Sequence, residues 1–306
     1  MTRDAAESPS SLTDRLLRRC TFPPAGSPVH VAVSGGRDSL ALLVLASAAR
    51  LDVTAVHVDH GVRPGSADEA ALVEGVARRF GAAFEAVRVV VDDGPNLEAR
   101  ARDARYRALP PDVLTGHTLD DQAETILLFL MRGTGPEGLA GIDRARRPLL
   151  SLRRAETGQL CADLGLTVFD DPSNDDPRFR RNRVRAELLP LLDDIAGRDV
   201  APLLARTADL QRSLLEVVAA AAADVDPSDA REVASVSVGV ASEALRAWWR
   251  RETREHYAPD ADAVERMLGV ARGDATAADI GSGWRIARTG QRLRLEQILG
   301  EVGQPR

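Results

Sequence analysis

The sequence predicts an α/β fold: a parallel sheet flanked by helices, followed by a helical linker and a small α+β C-terminal domain. Two observations lead there. Short apolar segments alternate with helix-length segments from His30 to Arg132. Such alternation needs crossover connections, and crossovers give parallel strands covered on both faces. Beyond Asp226 the pattern changes to two helices and a hairpin.

Each element has its own warrant. Leu12 to Arg19 reads as a short helix after a Ser-rich start, and Val31-Ala32-Val33 as a short buried strand. Ser39 to Arg50 is a strongly apolar helix, and Val53 to Val58 a strand with apolar period two. Ala67 to Phe80 is helical, Phe84 to Val91 a third strand, and Leu97 to Leu109 an Arg-rich helix ending at Pro110-Pro111. Val113-Leu114-Thr115 is expected as a fourth strand and Leu119 to Arg132 as a long helix. Arg132 to Pro190 is rich in Gly, Pro, Asp and Arg, with one short helix at Ala155 to Leu164, and runs into Asn182 to Leu192. A helix at Pro202 to Ala223 precedes a Pro/Asp/Ser break. The tail then holds helices at Ser242 to Glu255 and Ala261 to Val270, and a hairpin of Trp284 to Arg288 with Arg292 to Glu296, turned at Thr289-Gly290. The expected division is an N-terminal extension over 1–28, a nucleotide-type domain over 29–195, a helical linker over 196–225 and a small domain over 226–306.

Composition narrows the function classes. The 306 residues carry a formal charge of −6 with 44% hydrophobic and 28% charged residues, which suits a folded chain and not a disordered one. No apolar run approaches the length of a membrane span, and Met1 to Ser11 lacks the apolar core of a secretory signal. Cys20 and Cys161 make neither a disulfide framework nor a zinc cluster. The expected setting is cytoplasmic. All 40 basic residues are arginine. A chain without lysine cannot supply the Walker-type P-loop Lys, the Schiff-base Lys of a pyridoxal enzyme, or the strand Lys of a protein kinase.

The strongest local motif is Ser34-Gly35-Gly36-Arg37-Asp38-Ser39, between the first strand and the apolar helix. Two glycines let the backbone turn tightly and aim amides at an anion, and the helix N-terminus adds a favourable dipole. Asp38 is out of place in an anion site unless a metal bridges it to phosphate, so it is a candidate Mg²⁺ ligand. An ordinary capped Gly-Gly turn is the plain alternative. The hexapeptide resembles the pyrophosphate loop of the N-type ATP pyrophosphatases, Ser-Gly-Gly-x-Asp-Ser. That resemblance implies cleavage of ATP between its α- and β-phosphates, with AMP transferred to a carbonyl-type oxygen.

Further blocks follow. His57-Val58-Asp59-His60-Gly61 closes the second strand, with Arg63 behind it. Asn96-Leu97-Glu98 leads to Arg102, Arg105 and Tyr106. His117 to Thr125 opens the long helix, where positions 117, 120, 121 and 124 share a helical face. A His with three carboxylates there suits a metal or an ammonium group; acids in a first turn are also ordinary capping. Asp171-Pro172-Ser173-Asn174 precedes Arg178-Phe179-Arg180-Arg181-Asn182-Arg183-Val184-Arg185, five arginines and no acid in eight residues. Such a run is a solvated face or a phosphate-backbone contact. Trp248-Trp249 is expected in a core rather than as a base-stacking platform.

In this order and spacing, from about Val31 to Pro190, the blocks resemble the tRNA(Ile)-lysidine synthetase family. The resemblance implies a Rossmann-like sheet of the adenine nucleotide alpha hydrolase type, with ATP and Mg²⁺ used to ligate L-lysine to the wobble cytidine of a CAU-anticodon isoleucine tRNA. It implies Asp38, Arg102, His117 and Asp121 as catalytic residues, and Ser34, Gly35, Gly36, Arg37, Asp38, Ser39, His57 and Asp59 as ATP-binding. Asp121 and Glu124 are then lysine-binding, Arg178, Arg181, Arg183 and Arg185 tRNA-binding, and Asp38 the metal ligand. The 226–306 domain is expected to bind tRNA. No membrane or DNA partner is expected, and a homodimer is compatible with the sequence. The rival readings are another AMP-transferring enzyme of this loop class, a tRNA thiolase or an amide ligase, and a non-catalytic tRNA-binding protein.

Overall fold

The computed structural model of the chain describes residues 11–59, 66–89, 107–169, 176–253, 255 and 258–298. The chain forms two compact units. One runs to Ala208 apart from residues 135–137; the other comprises those three residues and the chain from Asp209.

In the first unit, strands β1 (Pro28–Ala32), β2 (Asp52–Asp59) and β3 (Ala83–Arg88) form a parallel sheet in sequence order. Val31 pairs with Ala55 and Val56 with Glu85, so the three strands advance together. The crossovers are α2 (Arg37–Ala48) and α3 (Ser66–Arg79). Seven consecutive residues of α2, Leu40 to Ala46, are buried, because the helix lies against the sheet and against the later helix at Arg154–Asp163. A helix apolar all round survives only when covered on both sides. A short helix α1 (Leu12–Leu17), capped by Ser11 with Asp14, adds Leu16 to that core.

Two expectations change here. Val113 to Thr115 is not a strand of its own: Leu114 makes one parallel bridge to Val31, accepting from the Ala32 amide at 2.9 Å and donating to the His30 carbonyl at 2.8 Å. Pro110-Pro111, which lack amide donors, precede it and Gly116 follows, leaving no room for a longer ladder. The apolar helix starts at Arg37, two residues before the expected Ser39, with Gly36 as its cap.

The chain continues with α4 (Leu119–Leu130), α6 (Arg154–Asp163) after a single turn α5 (Pro136–Leu139), and a composite helix. That helix begins as α7 (Arg180–Arg183), passes through a π-helical turn at Val184–Leu188, and continues as α8 (Leu189–Ala196) to a left-handed Gly197. The long helix α9 (Ala201–Ala223) carries the division between the units.

The second unit has α10 (Ala230–Ser235), α11 (Val238–Thr253) and α12 (Ala261–Arg272), followed by an antiparallel sheet of β4 (Ala277–Gly281), β5 (Trp284–Thr289) and β6 (Arg292–Gln297). The sequence missed β4 and α10, both short and neither periodic. The hairpin turns at Gly290-Gln291, because Thr289 still pairs with Arg292. Trp248 and Trp249 are core residues, as expected, and Trp249 meets Trp284 edge-on at 6.0 Å.

Candidate active site

The carboxyl ends of β1 and of the Leu114 bridge open onto the same place, where the chain turns into α2 and α4. In open parallel sheets this is where ligands gather. At the first turn, Gly35 takes φ +82° and Gly36 caps α2 without any side-chain cap. The Ser34 amide donates to Ser39 Oγ at 3.1 Å, and Ser39 Oγ donates back to the Gly36 carbonyl at 2.8 Å. The Gly35 carbonyl accepts from the Phe169 amide. The loop is thus closed on itself, and no side chain caps the α2 N-terminus.

His57 sits under this loop. It is buried, and its Nδ1 donates to the Val33 carbonyl at 2.8 Å. That contact makes it a strut beneath the loop. Asp59 ends β2 nearby. His60, Arg63, Asn96, Glu98, Arg102, Arg105 and Asp171 to Asn174 lie outside the described residues.

The second turn, Thr115 to Thr118, packs directly onto the first. A Cβ on Gly116 would lie 2.6 Å from the Asp38 carbonyl oxygen and 2.8 Å from its carbon, so only glycine allows the two backbones to meet. His117 precedes the helix rather than lying on it; its Nδ1 is 2.8 Å from Thr115 Oγ1. The expected face of one His and three carboxylates therefore divides. Asp120 turns away, accepting from the Arg154 amide at 2.7 Å and pairing with Arg153 at 2.9 Å. Asp121 and Glu124 point into the site.

Arg154 joins these parts. Its guanidinium reaches Asp38 at 3.5 Å, Asp121 at 2.9 Å and Glu124 at 2.9 Å. Thr157, one turn along α6, donates its hydroxyl to Asp38. Arg181 donates to Glu124 at 2.7 Å and to Asp121 at 2.9 Å, and Arg185 donates to Glu124 at 2.8 Å. Asp121 also accepts from the Thr118 amide and hydroxyl at 2.7 and 2.8 Å, so one of its oxygens caps α4 while the other faces the arginines.

The electrostatics follow from this packing. Burial, with Asp121 adding to it, pushes the Asp38 carboxyl up to about 6 against Thr157 and Arg154, which favour its charge. Burial also works against ionised Asp121, but Arg154 and Arg181, then His117, overcome it and hold its carboxyl below the ordinary range. For Glu124 burial is likewise outweighed, by Arg185, Arg154 and Arg181, and its carboxyl too is lowered.

The arginine run is split by the fold. Arg181 and Arg185 turn inward to the carboxylates, whereas Arg178 pairs with Asp176 at 2.6 Å and Arg183 with Glu187 at 2.8 Å, both exposed. Composition alone does not separate the two pairs. Sequence reasoning also passed over Arg154 and Gly116, though Arg154 left a signal. Arg153-Arg154 opens a helix, where the dipole disfavours cations unless carboxylates meet them. Gly116 left none, since only the structure shows that it takes no positive φ and that its smallness serves a close approach.

Comparison with known proteins adds the family. Residues 11–192 match the model of the PP-loop domain. The chain is 45% identical to the tRNA(Ile)-lysidine synthase of Nocardia farcinica, over 74% of this chain and 77% of that one. It is 42% identical to the tRNA(Ile)-lysidine synthase of Salinispora tropica, over 94% and 97%. Among solved structures, a U34-tRNA thiolase from Methanococcus maripaludis with its [4Fe-4S] cluster shares the fold, with a TM-score of 0.53 at 18% identity over 67% of this chain and 78% of that one. With a PP-loop match over more than half its length and relatives of one kind along nearly all of it, the chain belongs to the tRNA(Ile)-lysidine synthase family of PP-loop proteins.

Proposed function

We propose that the chain ligates L-lysine to C2 of the wobble cytidine of a CAU-anticodon isoleucine tRNA, forming lysidine, AMP and pyrophosphate. One observation carries this reading: a glycine-turned helix N-terminus suited to phosphate and a carboxylate pair suited to an ammonium share one sheet edge, tied together by Arg154. An anion site beside a cation site is what a reaction between ATP and lysine needs.

In the first step the cytidine C2 oxygen attacks the α-phosphate of ATP, held on the Ser34–Ser39 loop, and pyrophosphate leaves. In the second, the ε-amine of lysine, having lost its proton, attacks the adenylated C2; the C2–O bond breaks and AMP departs. Adenylation turns a poor leaving oxygen into a good one. Asp121 and Glu124 hold the lysine ammonium. His117 is assigned a catalytic role beside Asp121, whose carboxyl it helps to lower, and Arg102 is assigned to charge on the α-phosphate. His57 and Asp59 support the nucleotide side.

The residues fit a Mg²⁺ ion held largely through phosphate. Asp38 offers one carboxylate beside the loop, and among the described residues there is no group of three or more His, Cys, Asp or Glu fit to hold a metal. Mg²⁺ commonly binds through one carboxylate plus phosphates and water. When bound it supplies neutralisation of the phosphate charge.

Arg178 and Arg183 are assigned to the tRNA backbone, since exposed pairs exchange for phosphate at little cost. The domain over 226–306 is assigned to tRNA as well. The thiolase alternative loses support from the cysteines: burial pushes the Cys20 thiol up to about 12 and the Cys161 thiol to about 11, so neither is a ready nucleophile. Among the described residues no helix is long and apolar enough to cross a membrane, and a cytoplasmic setting completes the reading.

The test mixes purified protein with ATP, labelled lysine and the tRNA transcript. Lysine joined to RNA, with one pyrophosphate per transfer, is expected. Pyrophosphate release with lysine transferred elsewhere selects an amide ligase, and RNA binding without ATP cleavage selects the non-catalytic alternative.

A further inference from the structure

The carboxylates assigned to the lysine ammonium are already saturated. Asp121 Oδ1 accepts from Arg154 and Arg181, and Oδ2 from the Thr118 amide and hydroxyl. Glu124 Oε1 accepts from Arg154 and Arg185, and Oε2 from Arg181 and Arg185. A carboxylate has about four lone-pair sites, and each of these two has four donors. Charge is balanced too: three carboxylates, counting Asp38, face three guanidiniums. An ammonium entering this arrangement finds no acceptor and leaves one positive charge in excess.

One guanidinium therefore has to leave before lysine binds, and the geometry selects it. The Arg154 side chain is 19% exposed and is held by all three acids. Arg181 and Arg185 are 31% and 33% exposed. Only Arg181 of these two bridges Asp121 to Glu124, so its departure opens one acceptor on each carboxylate at the same point. It belongs to the arginine run, on a single helical turn immediately before the π-helical turn, a feature frequent at functional sites.

We propose that Arg181 is an internal occupant of the ammonium site, displaced onto an RNA phosphate when tRNA docks, so that lysine binds after the RNA. This inference rests on the lysine-ligase reading. It makes Arg181 a residue that sets the order of substrates: free lysine is not retained until its acceptor is in place.

The experiment is equilibrium dialysis of labelled L-lysine against the full chain without ATP, with and without the CAU-anticodon isoleucine tRNA transcript. Wild type is expected to bind lysine at least about tenfold more tightly with RNA, since two charge-assisted hydrogen bonds are exchanged. Arg181→Gln, whose amide leaves both acceptors without their guanidinium, is expected to reach that tighter affinity without RNA and to gain less than about twofold when RNA is added. An Arg181→Gln affinity equal to or weaker than wild type without RNA overturns the proposal. Should the variant fold poorly by thermal melting, the wild-type arm decides alone: a lysine affinity unmoved by RNA overturns it. Lysine transfer to RNA by wild type with ATP keeps the two readings apart. Transfer without the Arg181 effect refutes the ordering only, and no transfer refutes the ligase and the ordering with it.

Discussion

Two helix N-termini meet at one edge of the sheet, and they are built in opposite ways. That of α2 is entered through Gly35 and Gly36 and carries no side-chain cap. That of α4 is closed by Asp121 accepting from Thr118, and its acids are met by arginines from two other elements. Both ends carry the same partial positive charge. The first offers it to an incoming anion; the second has satisfied it with its own carboxylate, whose other oxygen is turned toward cations. A helix terminus thus becomes an anion or a cation site according to whether its cap is left open by glycine or closed by an acid that accepts from the cap residue.

The contrast depends on the two turns touching, and Gly116→Ala breaks it most severely. The added Cβ meets the Asp38 backbone, which cannot rotate away as a flexible side chain would. A displacement near 1 Å costs about a hundredfold in rate. Pyrophosphate release with tRNA should fall by about that factor, while the thermal melt shifts far less than for a core deletion. Release within threefold of wild type, on the order of 0.6 kcal/mol, would show the two ends acting independently.

Glu124→Gln attacks the cation side. Its side chain is fully buried under three arginines, and breaking such a network costs about 3 kcal/mol. Urea unfolding at neutral pH should register that loss. The sign with pH is set by the lowered carboxyl. The folded protein holds the proton less well than the unfolded chain, so the contribution is complete above the unfolded value near 4.3. It disappears as pH falls through the lower folded value. The gap between wild type and variant should close in acid; a gap constant from pH 7 to pH 3 would mean that charge is not what Glu124 contributes.

Asp121→Asn sharpens the division between the ends. The amide cannot give an ammonium its charge-assisted hydrogen bond, worth about 1.5–3 kcal/mol, or roughly ten- to hundredfold in lysine affinity. Pyrophosphate release without lysine should persist. If it vanishes, Asp121 serves the nucleotide side and the two ends do not divide the work.

The smallest effect is expected from Arg178→Gln with Arg183→Gln, the exposed pairs. Two fewer phosphate contacts should flatten the salt dependence of tRNA binding by about 1.5 in log–log slope, with ATP affinity unchanged. An unaltered slope would place both arginines on a merely solvated face.

Much of this site was legible in the residues. Glycines at 35 and 36 between an apolar strand and an apolar helix require a tight turn at a helix start, and periodicity placed the crossovers. Other features were not. His57, expected on the nucleotide side, lies buried with its Nδ1 donating to the Val33 carbonyl, a contact not legible in sequence because a strand-end histidine faces in or out according to the loop above it. Asp120 and Asp121 are adjacent acids, yet one caps α6 and the other enters the site.

By itself the sequence determined the alternation that makes a parallel sheet, the glycine turn, the capped and acidic start of α4, and, through the absence of lysine, which nucleotide chemistries are closed. These are local or periodic properties, decided within a turn or two of backbone. The tertiary structure alone decided which arginines meet which acids. Glu124 and Arg185 are 61 residues apart, and Asp38 and Thr157 are 119 apart. Charge carries no address along a chain: any arginine satisfies any carboxylate, and only the packing of α4, α6 and α7 selects Arg154 and Arg181 for the site and leaves Arg178 and Arg183 in water.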